Sequence, residues 1–268
     1  MFKRFIKIEL RRICRWQTLL AFIIFMAAFI HISSIYNTGY YCLSQNNSFI
    51  IYIKALCFPM HSYMPLIFPL VIIFIFGDSL FLDYKTGFFQ FSLSRITHKE
   101  FIKYKIIAIS LVSFIVNFGF QLVAFLYSIF TNPYYMPTKC FQGEIYPHVS
   151  IDLYVSIPFL YIFIVMIFFS IISMFIAVLC LITANMFKNT FAVQSMPWIM
   201  FIFVGELLMC IGDSNGIFYR FSPLQMLGAC LSFEDYSFIQ PFLYWIVLWI
   251  VSCFATYKLF LRKFRLNL

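Results

Sequence analysis

Six apolar runs, each long enough to cross a bilayer, set the limits on what this chain can fold into. They lie at about residues 17–36, 59–76, 106–130, 157–184, 191–211 and 238–257. Of the 268 residues, 63% are hydrophobic and 11% charged, against roughly 45–50% and 25% in soluble domains. No water-soluble core of this size hides so much apolar surface. The chain therefore reads as an all-α integral membrane protein with six transmembrane helices in a single domain, residues 1–268.

Ahead of the first run stands MFKRFIKIELRRICRW. At helical spacing Phe2, Phe5, Ile6, Ile13 and Trp16 share one side, and Lys3, Arg4, Lys7, Arg11 and Arg12 the other. This pattern predicts an amphipathic helix over 1–16 lying in the membrane interface, with Phe and Trp in the lipid boundary. Of the 19 Lys and Arg residues, only Lys54, Lys139 and Arg220 fall in the loops on the other side of the membrane from this segment. The positive-inside rule then makes both termini and the interval 77–105 cytoplasmic. The formal net charge of +9 reports orientation and contact with anionic lipid. Because the charges flank spans and form no basic domain, a nucleic-acid partner is excluded.

The interval 77–105, GDSLFLDYKTGFFQFSLSRITHKEFIKYK, is the longest polar stretch between two runs. It sets Lys85, Arg95, Lys99, Lys103 and Lys105 against Asp78, Asp83 and Glu100. Mixed charge with Tyr84, Phe88 and Phe89 on the surface predicts a cytoplasmic loop that docks a soluble partner. Ser92 to Tyr104 reads as its helix, with Thr97 as cap and Glu100 three residues on. No G-x-x-x-x-G-K-[ST] motif occurs, so the chain is not expected to cradle nucleotide phosphates or act as an enzyme by itself.

Within the spans, Glu206 is the carboxylate placed mid-membrane, where such a group faces a protein interior, a water path or the outer interface. Asn117 and Gln121, one turn apart, share a face suited to hydrogen bonds between helices or to contact with substrate. His31 and His61 stand alone, and no metal site is expected. Residues 37–58 and the Pro- and Tyr-rich stretch after the third run read as outer loops. A disulfide among Cys42, Cys57, Cys140 and Cys230 is open there. Phe221 to Leu227, FSPLQML, reads as a short segment before the last run.

Six runs, the basic amphipathic start and the order Asp83, Gly87, Leu93-Ser94-Arg95, then Lys103 or Lys105, resemble the permease subunit of ABC transporters of the ABC-2 (type V exporter) class. The resemblance covers the whole chain in topology. It implies a permease of the bacterial inner membrane that pairs with a second permease copy and with cytoplasmic ABC ATPase subunits holding ATP and Mg2+. Asp83, Gly87, Arg95, Lys99, Glu100 and Lys103 would then form the ATPase-coupling loop. Glu206, Asn117 and Gln121 would be candidates for the translocation path, and FSPLQML for a re-entrant stretch. The implied task is export of an amphipathic substrate, first among them an antimicrobial or toxin-like peptide. Drug, lipid or polysaccharide export and ion-coupled secondary transport are the alternatives. A membrane enzyme is the weaker reading, because no H-E-x-x-H motif or Glu-Glu pair appears in the spans.

Overall fold

The computed structural model describes residues 2–38, 47–57, 62–137, 147, 149–187, 189–212, 216–232 and 237–265. These residues form helices joined by turns, with no strand among them. In order they are α1 (Phe2–Ile13), α2 (Trp16–Thr38), α3 (Ser48–Cys57), α4 (Met64–Phe76), α5 (Ser79–Lys85), α6 (Phe88–Leu93) and α7 (His98–Thr131). They continue as α8 (Ile151–Ser156), α9 (Pro158–Met186), α10 (Thr190–Ile211), α11 (Ile217–Arg220), α12 (Pro223–Leu227), α13 (Ala229–Ser232) and α14 (Ile239–Arg265). Six segments are long and apolar enough to cross a membrane: α2, α4 with α5, α7, α9, α10 and α14. The chain is a multi-pass membrane protein.

The bundle is arranged around α9, which packs against α7, α14, α10 and α4. Ser170, Ser173, Ala177, Cys180 and Ala184 recur along its buried side, and small side chains let helices approach closely in lipid. Ser173 donates to the Ser113 carbonyl of α7 at 3.1 Å, and Trp249 of α14 donates to Ser110 Oγ at 3.1 Å. Pro197 sits inside α10 and has no N–H for the Val193 carbonyl four residues back. Thr183 of α9 supplies that bond from its hydroxyl at 3.1 Å. In a medium without water, such a replacement is what makes the proline tolerable.

The N-terminal helices run alongside α7. Phe5 meets Phe101 at 5.4 Å, Phe22 meets Phe120 at 5.1 Å and Phe29 meets Tyr127 at 6.3 Å. The near-constant sequence offset means that α1 and α2 climb α7 in parallel. At about 1.5 Å per residue the 34 residues of α7 reach about 51 Å, so several turns extend past the roughly 30 Å hydrocarbon layer. α1 is amphipathic as expected, and Trp16 is exposed. Phe5, however, is buried in protein against Phe88, Phe101 and Tyr104, so α6 and α7 occupy a place assigned to lipid.

Three further expectations change. Within the stretch 37–58, α3 is a fully buried helix rather than loop, because SFIIYIKALC packs its whole surface against α2, α7 and α13. The second span does not end at Phe76. Gly77 keeps helical angles, and the apolar segment continues as α5 to Lys85. The helix read from Ser92 to Tyr104 is broken, since α6 ends at Leu93 and α7 begins at His98. Thr97 caps α7, as the T-x-x-E pattern predicts. Thr97 Oγ1 accepts from the Glu100 N–H at 3.4 Å, and Glu100 Oε2 accepts from the Thr97 N–H at 3.0 Å.

Within the segment 221–227, Pro223–Leu227 form α12, whose five residues are all buried between α10 and its neighbours, while Phe221 is exposed. Ser222 Oγ donates to the Gly205 carbonyl at 2.9 Å, and Tyr244 Oη donates to the Phe221 carbonyl at 2.9 Å. A Cβ on Gly205 would lie 2.6 Å from Leu224 Cγ. Gly205→Ala is therefore expected to lower stability by about 1–3 kcal/mol through overpacking, with partial recovery in Gly205→Ala/Leu224→Ala. Thermal unfolding in detergent, followed by intrinsic tryptophan fluorescence, measures both.

Candidate functional site

Glu9 holds the position on α1 that lies four residues from both Phe5 and Ile13, inside the apolar stripe. It is 2% exposed and meets two cations. Lys105 Nζ, on the buried side of α7, lies 2.6 Å from Glu9 Oε1 and 2.5 Å from Asp83 Oδ2 of α5. Arg12 donates to Glu9 Oε1 at 2.8 Å and also pairs with Asp83 Oδ1. Two carboxylates thus face two cations, and the cluster is electrically neutral.

Ser79, at the start of α5, bonds to three of the four charges. Its hydroxyl donates to Glu9 Oε2 at 2.9 Å and accepts from Lys105 Nζ at 2.7 Å. Its carbonyl accepts from Arg12 Nη1 at 3.0 Å. Burial pulls the Arg12 guanidinium down, but the Glu9 and Asp83 carboxylates beside it outweigh this and hold it above its ordinary value. At the rim Arg15 reaches Asp78 at 3.8 Å. A cavity of about 10 Å³ bounded by Glu9, Arg12, Arg15, Asp78 and Ser79 is close to the space one water occupies.

The cluster fastens α1, α5 and α7 at one end of the bundle, and the predicted coupling loop divides around it. Asp83 and Lys105 belong to the buried anchor, whereas Arg95, Lys99, Glu100 and Lys103 are exposed at the tip. Gly87 adopts φ +71° between α5 and α6, a left-handed angle that glycine reaches without strain. The aromatic reading is corrected. Phe89 is buried against Tyr84 and Phe101, while Tyr84 and Phe88 are only partly buried, so Phe89 does not form the surface. Phe91 is 57% exposed instead, with the Arg95 guanidinium 4.5 Å above its ring.

Asn117 and Gln121 do share the buried face of α7. Gln121 Oε1 accepts from Tyr52 Oη of α3 at 2.7 Å. Neither amide atom of Asn117 has a hydrogen-bond partner among the described residues, and neither does Gln121 Nε2. Glu206 is exposed on the outer side of α10, next to the Gly205 that faces α12, and is not brought together with Asn117 or Gln121. Among the described residues no cluster of three His, Cys, Asp or Glu is placed to hold a metal. His31 Nδ1 lies 2.6 Å from Tyr63 Oη.

Cys57 and Cys230 are buried free thiols, and burial, then the neighbouring Cys230 thiol, pushes the Cys57 thiol well up. The Cys57 thiol is correspondingly unreactive. Cys42, Cys140 and His61 lie outside the described residues.

Sequence reasoning missed Glu9, Arg12 and Ser79, and placed Lys105 among the charges of the cytoplasmic loop as an alternative to Lys103, not in a buried ion pair. A signal was present for Glu9 and for Lys105, which sits four residues from both Phe101 and Ile109. A charged residue inside an apolar stripe requires a buried counter-charge. No family model matches the sequence, and no curated protein matches it.

Breaking a buried ion pair by removing one partner costs about 3–5 kcal/mol, because the other charge is left uncompensated. Lys105→Met is expected to lower stability by that amount, and Glu9→Gln/Lys105→Met to recover part of it, as judged by chemical or thermal unfolding in detergent. Asn117→Leu is expected to be neutral or stabilising by up to about 1–3 kcal/mol, since it removes a buried amide that has no partner. The same unfolding assay measures it.

Proposed function

We propose that this chain is the permease subunit of an ATP-driven exporter, paired in the membrane with a second copy and driven by separate cytoplasmic ATPase subunits. The observation that carries the reading is the division between an exposed tip and a buried anchor. A partner gripping Phe91, Arg95, Lys99 and Lys103 would act on α6 and the turn before α7. The charge cluster holds α5 to α1 and α7 at the same end. Displacement of the tip would then move three elements together, which is how a rigid-body motion reaches the spans. With no phosphate-binding loop in this chain, ATP and Mg2+ belong to the partner.

The substrate class in this proposal is amphipathic, first among them an antimicrobial or toxin-like peptide, moved outward for export or self-protection from a bacterial inner membrane. The aromatic-rich interior, with 38 Phe in the chain, gives apolar and adaptable walls to such a route. Glu206, exposed on α10, would face the second copy or the route between copies.

The test is a pull-down of the tagged chain from its native membrane in mild detergent, followed by an ATPase assay on what accompanies it. Recovery of an ATPase is expected. Arg95→Glu should abolish it, because the exposed cation is reversed while the buried anchor is untouched. Gly87→Trp should reduce it, because a residue other than glycine at φ +71° costs about 1–2 kcal/mol and reorients α6. A chain that comes out with no ATPase, or an Arg95→Glu chain that keeps it, would contradict the proposal and favour ion-coupled transport.

A further inference from the structure

Outside the charge cluster, the corner between α1 and α2 opens into a groove of about 440 Å³. Its walls are apolar, made by Ile13, Leu19, Phe22 and Phe120, and it runs from the helix corner toward the middle of α7. Its mouth is polar and basic. Arg15 and Thr18 line it, exposed Arg11 lies one turn back on α1, and α2 begins at Trp16. The first N–H groups of a helix carry a partial positive charge and suit phosphate oxygens. Trp16 is 68% exposed, with its ring 6.3 Å from Phe74, as an interfacial anchor would be.

We infer that this groove binds one anionic phospholipid, its phosphate on Arg15 at the start of α2 and one acyl chain along Leu19, Phe22 and Phe120. Charge complementarity selects that occupant. The chain is strongly basic at this end, the groove lies where a transmembrane segment starts, and the apolar wall continues from the cation into the bilayer. Arg15 can serve a phosphate because its only described ion pair, to Asp78, is long at 3.8 Å and leaves the side chain 35% exposed. Asp78 is the carboxylate opposing the headgroup, so the phosphate competes with it for the guanidinium. Asp78 adjoins Ser79, and occupation of the groove therefore acts on the edge of the cluster that joins α1, α5 and α7. The site stands whether or not the chain pairs with an ATPase.

Native mass spectrometry of the full chain in mild detergent, with equal amounts of phosphatidylglycerol and phosphatidylcholine, tests this. One phosphatidylglycerol per chain should be retained in preference. Loss of one charge-assisted phosphate contact in Arg15→Gln should weaken retention about tenfold. Leu19→Trp fills the groove from an exposed position without touching the Arg15–Asp78 pair. It should displace the lipid too, and it carries the test if Arg15→Gln fails to fold. Lys3→Gln/Lys7→Gln should retain the lipid as the unaltered chain does. Equal retention of the two lipids, indifference to Leu19→Trp, or a loss in Lys3→Gln/Lys7→Gln as large as in Arg15→Gln would overturn the inference.

Discussion

Four charges held out of water at the meeting of α1, α5 and α7 are the constraint on which this end of the molecule depends. Isolated, any one of them would be too costly to bury. Together Glu9, Asp83, Arg12 and Lys105 cancel, and Ser79 supplies further hydrogen bonds to both signs. The balance has a structural consequence. Removing α5 or α7 strands a charge on the other two, whereas α1 carries one charge of each sign and is held by the Glu9–Lys105 and Arg12–Asp83 pairs as well as by its Phe5 contacts. The exposed tip of the loop is seated on this arrangement, since α6 follows α5 after the left-handed turn at Gly87. The lipid groove at the α1–α2 corner borders it through Arg15 and Asp78.

The spans were legible because their signal is long and nearly free of charge. The start of α7 was legible for a different reason: T-x-x-E in Thr97–Glu100 satisfies two helix-end N–H groups at once. α3 was not legible. Ten residues are too few to read as a span, and Lys54 with the preceding Asn46-Asn47 resembled a turn. Its identity depends on tertiary burial, which periodicity over so short a run does not report. The division of the loop also escaped the sequence. Asp83 and Arg95 look alike there as charges between two spans, whereas only the continuation of α4 into α5 puts the first inside. Glu9 was readable in principle, as a carboxylate on the apolar stripe of α1.

The interior separates polar groups into two kinds. Thr183 and Ser173 answer specific backbone or packing demands, and Gln121 is met by Tyr52. Asn117 answers none among the described residues, although it is 1% exposed. A buried amide without a partner normally costs stability, and this one sits on the face of α7 one turn from Gln121. The outer sides of α10 and α14, by contrast, are broadly apolar and exposed, and carry Glu206 among them. Those surfaces meet lipid or another chain, and the charge cluster lies at neither.

The measurement that bears most directly on this account is amide hydrogen exchange, read by mass spectrometry on the unaltered chain and on Lys105→Met. If the cluster fastens three helices into one cooperative unit, removing the α7 charge should raise exchange in α1 and in α5–α6 together, with α9 unchanged. Faster exchange confined to the first turns of α7, with α1 and α5–α6 as protected as before, would contradict it.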